Sequence, residues 1–286
     1  MGSGHDGVLG PYALDYAVHD MALCPSSAGD GAMWLATSSF LPEAPNFVEI
    51  SSLDLGRGGV VQAPQPVARL PHYFPPSRVR WLPGMGSSAE LLATSGDCLR
   101  IWRPDGQLHQ LLRHGANPEE VCTPITSVDW SEKGGLASCD VYGVCVLWDV
   151  NSGTAVQAFD LGQQLCDVAY GGDHGLVAVA GERGDCFLLD PRQAQDVHVL
   201  SSREKARGPA RLAWSACRTD LLAVSWQGEG GGVVLHSIHQ PGHAGQKSTS
   251  RMLRTPGSGA VAADIEWSPA YPEQLCCAKE DGVVEV

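Results

Sequence analysis

Ser127-Val128-Asp129-Trp130, Gly135-Leu136-Ala137-Ser138 and Val144-Cys145-Val146-Leu147-Trp148-Asp149 follow one another within residues 127–149. Each run alternates apolar with small or polar side chains, and Gly or Asp punctuates the gaps. Alternation at period two, bounded by turn residues, is the pattern of short antiparallel strands. The first run recurs through the chain as Arg78-Val79-Arg80-Trp81, Asp167-Val168-Ala169-Tyr170, Arg211-Leu212-Ala213-Trp214 and Asp264-Ile265-Glu266-Trp267. A degenerate copy, Asp20-Met21-Ala22-Leu23, stands at the front. From Trp81 onward the bulky anchors are spaced 49, 40, 44 and 53 residues apart. Every anchor is followed by a second apolar segment (34–37, 91–95, 135–138, 175–180, 221–225, 275–278) and then a third (48–53, 98–102, 144–148, 186–189, 233–236, 283–286).

No run of apolar residues at helical spacing exceeds two turns. A period of ~40–45 residues with a Trp-Asp ending is the pattern of a WD40 blade. Trp148-Asp149 matches it fully, and Trp102-Arg103 and Leu189-Asp190 match it by half. The expectation is an all-β propeller with six recognisable units, forming one domain over residues 1–286. A four-stranded blade cannot bury both of its faces alone, so blades stack and ring closure leaves only short edges. On that logic Trp81, Trp102, Trp130, Trp148, Trp214 and Trp267, with Asp149, are structural anchors that pack blade on blade. The last unit ends at Val286 within its third strand. Residues 8–14 precede the first anchor strand and are the expected donor of the missing one.

The 286 residues carry 32 acids against 19 bases, a formal charge of −13, which disfavours a phosphate-binding surface. No direct nucleic-acid partner is expected. Nothing approaches the ~20 consecutive apolar residues of a membrane span, and the basic residues are too scattered for a polybasic anchor. The ten cysteines form no Cys-x-x-Cys pair and read as reduced thiols of an intracellular protein, cytoplasmic and nuclear. Neither metal nor cofactor is expected, because Cys139 and Cys145 flank a turn and the adjacent Cys276-Cys277 point to opposite strand faces. No Gly-x-Ser-x-Gly elbow is present, and catalysis is not expected; a propeller hydrolase with a triad assembled in space is the enzymatic alternative. Gly228-Glu229-Gly230-Gly231-Gly232 lacks the Lys and helix of a phosphate loop and reads as a hairpin turn, as does Gly84-Met85-Gly86.

Pro75-Pro76 marks an inter-blade loop, since proline cannot donate to a ladder. Tyr73 and Phe74 before it, and Arg78 and Arg80 after it, are residue types enriched at protein interfaces. They are candidate protein-binding residues. The competing reading is that the aromatics only cover the blade junction.

Five runs carry a more specific resemblance. They are Ser39-Phe40 with Asn46 and Val48-Glu49; His72-Tyr73-Phe74-Pro75-Pro76-Ser77-Arg78; Leu91-Leu92-Ala93-Thr94-Ser95-Gly96-Asp97-Cys98-Leu99-Arg100-Ile101-Trp102; Cys122-Thr123-Pro124-Ile125-Thr126-Ser127-Val128-Asp129-Trp130; and Arg211-Leu212-Ala213-Trp214. In this order they resemble the Transparent Testa Glabra family of plant WD40 proteins and its animal counterpart, a cullin-ligase-associated WD40 scaffold. The resemblance implies a non-catalytic scaffold, monomeric within its complex. Its implied partners are MYB and basic helix-loop-helix regulators, dual-specificity tyrosine-regulated kinases, or the adaptor of a cullin ligase. The alternative is a substrate receptor of that ligase. Leu189-Asp190-Pro191-Arg192 is similar to the Trp-Asp-x-Arg box of such receptors, which makes Asp190 and Arg192 further candidates. Two departures stand out. The family closes seven blades where six units are present, and residues 237–262 hold a Gly/Ser/Pro-rich stretch read as an irregular insert where a blade is absent. Tyr142 and Arg183 occupy positions where an Asp that bonds a neighbouring His is expected, so blade rigidity is expected to rest on packing.

Overall fold

The computed structural model describes residues 13–24, 32–43, 45–54, 64–83, 90–114, 123–171, 175–193, 197–202, 210–226, 232–238, 249–253, 262–279, 281 and 283–286. Every regular element among them is a strand, and the strands assemble into six successive antiparallel sheets. The first holds β1 (Val18–Leu23), β2 (Ala32–Ser39), β3 (Asn46–Asp54) and β4 (Gln65–His72) in that order. The second holds β5 (Arg78–Trp81), β6 (Leu92–Ser95), β7 (Leu99–Trp102) and β8 (Leu108–Leu112). The third comprises β9 (Ile125–Trp130), β10 (Leu136–Asp140), β11 (Val144–Asp149) and β12 (Thr154–Asp160). The fourth comprises β13 (Leu165–Gly171), β14 (Leu176–Gly181), β15 (Asp185–Leu189) and β16 (Val197–Ser202). The fifth has β17 (Ala210–Trp214), β18 (Leu221–Trp226), β19 (Val233–Ser237) and β20 (Thr249–Leu253). The sixth has three strands, β21 (Ala262–Trp267), β22 (Leu275–Lys279) and β23 (Val284–Glu285). This is the six-blade all-β arrangement expected from the repeat. The expected donor strand at residues 8–14 falls largely outside the described residues.

The chain divides into two compact units, Met1–Gly134 with Val150–Gly153, and Gly135–Asp149 with Thr154–Val286. In the first unit one apolar cluster joins Ala36, Val48, Ile50 and Leu70 of the first sheet to Val79, Trp81, Leu92 and Trp102 of the second. In the second unit, analogous clusters join the fourth sheet to the fifth and the fifth to the sixth. The first strand of each sheet, which the recurring motif marks, faces its neighbour in these clusters.

Within each unit the motif tryptophans repeat one hydrogen bond. The indole N–H of Trp81 donates to the Ala22 carbonyl at 3.1 Å, and that of Trp130 to the Arg80 carbonyl at 3.0 Å. Trp214 donates to Ala169 at 3.1 Å and Trp267 to Ala213 at 2.9 Å. The acceptor is always the residue just before the anchor of the preceding sheet. A second tie runs beside it. An Asp Oδ2 three residues before the earlier anchor accepts the N–H two residues before the later one: Val79 to Asp20 at 2.8 Å, and Leu212 to Asp167 at 2.9 Å. Burying a tryptophan removes on the order of 200 Å² from water, about 5 kcal/mol gross at 25 cal/mol/Å². The hydrogen bond adds about 1 kcal/mol net. Burial therefore supplies the stability, and the bond fixes which carbonyl each ring meets.

The fourth strands escaped the three-segment reading of the sequence. β4, β8 and β12 are largely exposed, so their apolar alternation is diluted. Their pairings, and that of β16, are also broken by a register shift, which twists an outer edge away from further pairing. The irregular insert needs the same correction. β19 runs into residue 237, and β20 pairs with it from Val233↔Leu253 to Ser237↔Thr249. An outer strand needs one buried face at most, so its polar composition was no bar to strand pairing.

Seven of the eight tryptophans donate their indole N–H to an oxygen, but the buried Nε1 of Trp34 has no partner. Trp214→Phe, which strands the Ala169 carbonyl, is expected to lower the unfolding free energy by about 1–2 kcal/mol beyond the loss in Trp34→Phe. Urea denaturation of both variants checks this; equal losses would mean that the bond contributes nothing.

Candidate functional site

The candidates of the sequence separate into three groups. Tyr73 and Phe74 follow β4 and are 76% and 55% exposed, with their rings edge-to-face at 4.8 Å. Phe40, which follows β2, is 52% exposed. Because β2 and β4 both run toward this end (Ser39 lies opposite Val18, and His72 opposite Asn46), the three aromatics share one end of the first sheet. Two local structures hold them there. The turn after β2 is closed by Asn46, whose Oδ1 accepts the Ser39 hydroxyl at 3.0 Å and the Leu41 N–H at 2.8 Å, while its Nδ2 donates to the Leu41 carbonyl. His19 stacks on Phe40 at 5.3 Å, and its Nδ1 bonds the Pro76 carbonyl at 2.8 Å, tying the Pro75-Pro76 link to β1.

Arg78 and Arg80 do not join this surface. The Arg78 side chain is 4% exposed and reaches Asp20 at 3.4 Å; Arg80, 30% exposed, reaches it at 3.1 Å. Their charges are directed inward because Asp20, itself 9% exposed, needs compensation where it caps the Val79 N–H. As interface candidates they are corrected to positioning residues of the first two sheets. Asp20 and Asp167 were missed by the sequence reading. Their signal is the first letter of the motif, which is acidic or basic in five of six copies: Asp20, Arg78, Asp167, Arg211 and Asp264, with Ser127 the exception.

Asp190 and Arg192 lie in the second unit, in the turn after β15. Asp190 is 3% exposed and its Oδ1 accepts the Arg192 backbone N–H at 3.0 Å. The Arg192 guanidinium closes on the same carboxylate through Nε at 2.8 Å and Nη2 at 2.7 Å while remaining 64% exposed. The Arg192 hydrogen bond holds the Asp190 carboxyl below its usual range. The result is an arginine presented in a fixed pose.

The most elaborate polar cluster sits just beneath the Tyr73–Phe74 end. Trp102 Nε1 donates to Thr94 Oγ1 at 2.9 Å, and His72 Nε2 lies 3.1 Å from the same oxygen. Arg100 Nη1 lies 3.4 Å from His72 Nδ1 and holds Asp97 at 2.7 Å. A guanidinium only donates, so Nδ1 is the acceptor and the Nε2–H points to Thr94. Burial, and then the Arg100 charge, push the His72 pKa down to about 4. Burial pushes the Asp97 carboxyl up, and the Arg100 hydrogen bond and charge outweigh it, so its pKa falls. In the third sheet Trp148 likewise donates to Ser138 at 2.9 Å, and Asp140 Oδ1 closes the following turn onto the N–H groups of Tyr142 and Val144. The expectation that rigidity rests on packing alone is therefore corrected. The network is built from residues other than the absent Asp.

The remaining anchors, Trp81, Trp130, Trp214 and Trp267, are buried or half-buried between sheets as expected. Among the described residues no group of three His, Cys, Asp or Glu is placed to hold a metal.

Comparison with known proteins adds the context. No family model matches the chain. A DDB1- and CUL4-associated factor 7 homolog from Dictyostelium discoideum is 25% identical over 256 residues, covering 86% of this chain and 74% of the relative. An uncharacterized WD repeat-containing protein from Schizosaccharomyces pombe is 24% identical over 315 residues, covering 99% of this chain and 68% of its own length. The SIR4-interacting protein SIF2 from Saccharomyces cerevisiae is 34% identical over 113 residues, 37% of this chain and 20% of that one. The chain is a WD-repeat protein. Relatives of this kind support an adaptor role for a WD-repeat protein whose described surface offers aromatic and guanidinium groups.

The neutral state of His72 makes stability depend on pH. The unfolded chain takes up its proton below the ordinary value of 6.5, whereas the native imidazole resists until about 4. Stability is thus expected to fall as pH drops from 6.5 toward 4, by up to about 3 kcal/mol from this residue at roughly 1.4 kcal/mol for each tenfold difference in proton affinity. His72→Gln should be less stable at pH 7 and show a shallower acid slope in urea melts. An unchanged slope would locate the acid sensitivity elsewhere.

Proposed function

We propose that the chain is a non-catalytic adaptor that docks protein partners at the Tyr73–Phe74 end of its first sheet. The observation that carries this reading is the exposure of Phe40, Tyr73 and Phe74 together at that end, on turns already fixed by hydrogen bonds. Exposed aromatics cost a free protein solubility and contribute most where a partner covers them. Preformed turns also spare the partner the entropy of ordering them. By the sequence resemblance, the partners are MYB and helix-loop-helix regulators or dual-specificity kinases, met as a monomer in cytoplasm and nucleus. The nine described cysteines, all free thiols, are in keeping with that compartment.

A second reading, substrate receptor of a cullin ligase, is favoured by the exposed Arg192 clamped on Asp190 and by the DDB1 and CUL4 in the Dictyostelium relative's name. In that reading Arg192 meets the ligase adaptor, and the aromatic end holds the substrate.

Purified MYB, helix-loop-helix and kinase domains, and a DDB1-type adaptor, separate the two by direct binding. Tyr73→Ser with Phe74→Ser is expected to weaken the first group at least tenfold without moving the melting temperature by more than about 2 °C, since both side chains stand in solvent. Arg192→Ala is expected to weaken only the ligase adaptor. Unchanged binding of all probes by both variants would remove the proposed surfaces.

A further inference from the structure

The first unit holds a second feature at the other end of the same sheet. A groove of about 590 Å³ is lined by Trp34, Val67, Glu90, Arg103, Pro104 and Asp105. Trp34 lies near the start of β2 and Val67 near the start of β4, so both stand a strand's length from Phe40 and Tyr73. Opposite them, Glu90 precedes β6, and Arg103, Pro104 and Asp105 form the turn between β7 and β8.

The wall formed by that turn is preorganised. Arg103 N–H donates to the Gln107 carbonyl at 2.9 Å, Gly106 N–H to the Arg103 carbonyl at 2.9 Å, and Gln107 N–H to Asp105 Oδ1 at 3.0 Å. Gly106 has φ of 87°, and a Cβ there would lie 3.1 Å from Ala68 Cβ of β4. The turn thus rests directly on the neighbouring sheet, and the groove exists before anything enters it.

We infer that this groove is a docking site for a basic, partly apolar segment of a partner protein. An arginine or lysine of that segment lies against the Trp34 ring beside Glu90 and Asp105, and a neighbouring apolar side chain covers Val67 and Pro104. Charge decides the occupant. Two carboxylates face one guanidinium in the lining, on a chain whose formal charge is −13, so a basic segment is drawn in and an acidic one is repelled. An aromatic face beside carboxylates is a setting for a cation. Val67, 48% exposed, and the exposed Arg103 and Asp105 leave the groove open along its rim, which suits a chain segment rather than an enclosed small molecule. Trp34 is also the tryptophan whose position no indole hydrogen bond dictates, so its ring serves the wall of the groove and not an inter-sheet tie. The site does not depend on the aromatic end, and either can fail while the other stands.

The probes are a fluorescent twelve-residue peptide of alternating Arg and Leu around a central Pro, and the same peptide with Glu for Arg, titrated into the full chain. The basic peptide is expected to bind at least tenfold more tightly than the acidic one. Asp105→Lys, at an exposed turn, and Trp34→Phe are each expected to weaken it about tenfold. Tyr73→Ser with Phe74→Ser should leave it unchanged. Binding that survives Asp105→Lys and Trp34→Phe undiminished would show adhesion to the acidic surface at large and overturn the proposal, as would equal affinity for the acidic peptide.

Discussion

The indole N–H that each anchor tryptophan gives to a backbone carbonyl of the preceding sheet is the constraint around which these sheets are arranged. A small twisted sheet has two apolar faces, and a neighbour that could slide along either would bury them almost equally well. Area alone sets no register. A ring that must both fill the junction and find one particular carbonyl does. The paired Asp20 and Asp167 bonds to the N–H groups of Val79 and Leu212 add a second point of attachment, and two points fix an orientation. Arg78 and Arg80 then compensate the buried charge of Asp20, which removes them from any surface role.

Much of this was legible in the sequence, because the inner strands are where sequence and structure are most tightly coupled. Burial on both faces of β5, β10 and β14 demands apolar side chains at nearly every position, and the four-residue motif marks one register point per sheet. The outer strands were not legible for the converse reason. Val67, Leu108 and Val156 are exposed, and the ladder that holds β20 is backbone hydrogen bonding, which any composition without proline can supply. The run from Leu91 to Trp102, quoted for its family resemblance, has a physical explanation in the structure. It holds Thr94, Asp97, Arg100 and Trp102, four of the five members of the cluster around His72. What a single sequence could not show was that His72, twenty-two residues earlier, completes it.

The same separation organises function. The side chains that join sheets are directed inward, and the turns at the sheet ends carry Phe40, Tyr73, Phe74 and Arg192 outward on backbones closed by Asn46, Pro76 and Asp190. Loop residues in such an arrangement can change without disturbing the junctions, which is why a repeat scaffold serves as a display for protein partners.

Amide hydrogen exchange followed residue by residue tests this division between joining strands and displaying turns. The Val79 and Leu212 amides, bonded to buried aspartates of the preceding sheet, are expected among the slowest to exchange, with the amides of β12 and of the turn at residues 103–107 the fastest. Val79 and Leu212 exchanging as fast as that turn would contradict the idea that the aspartate and tryptophan ties hold the sheets together.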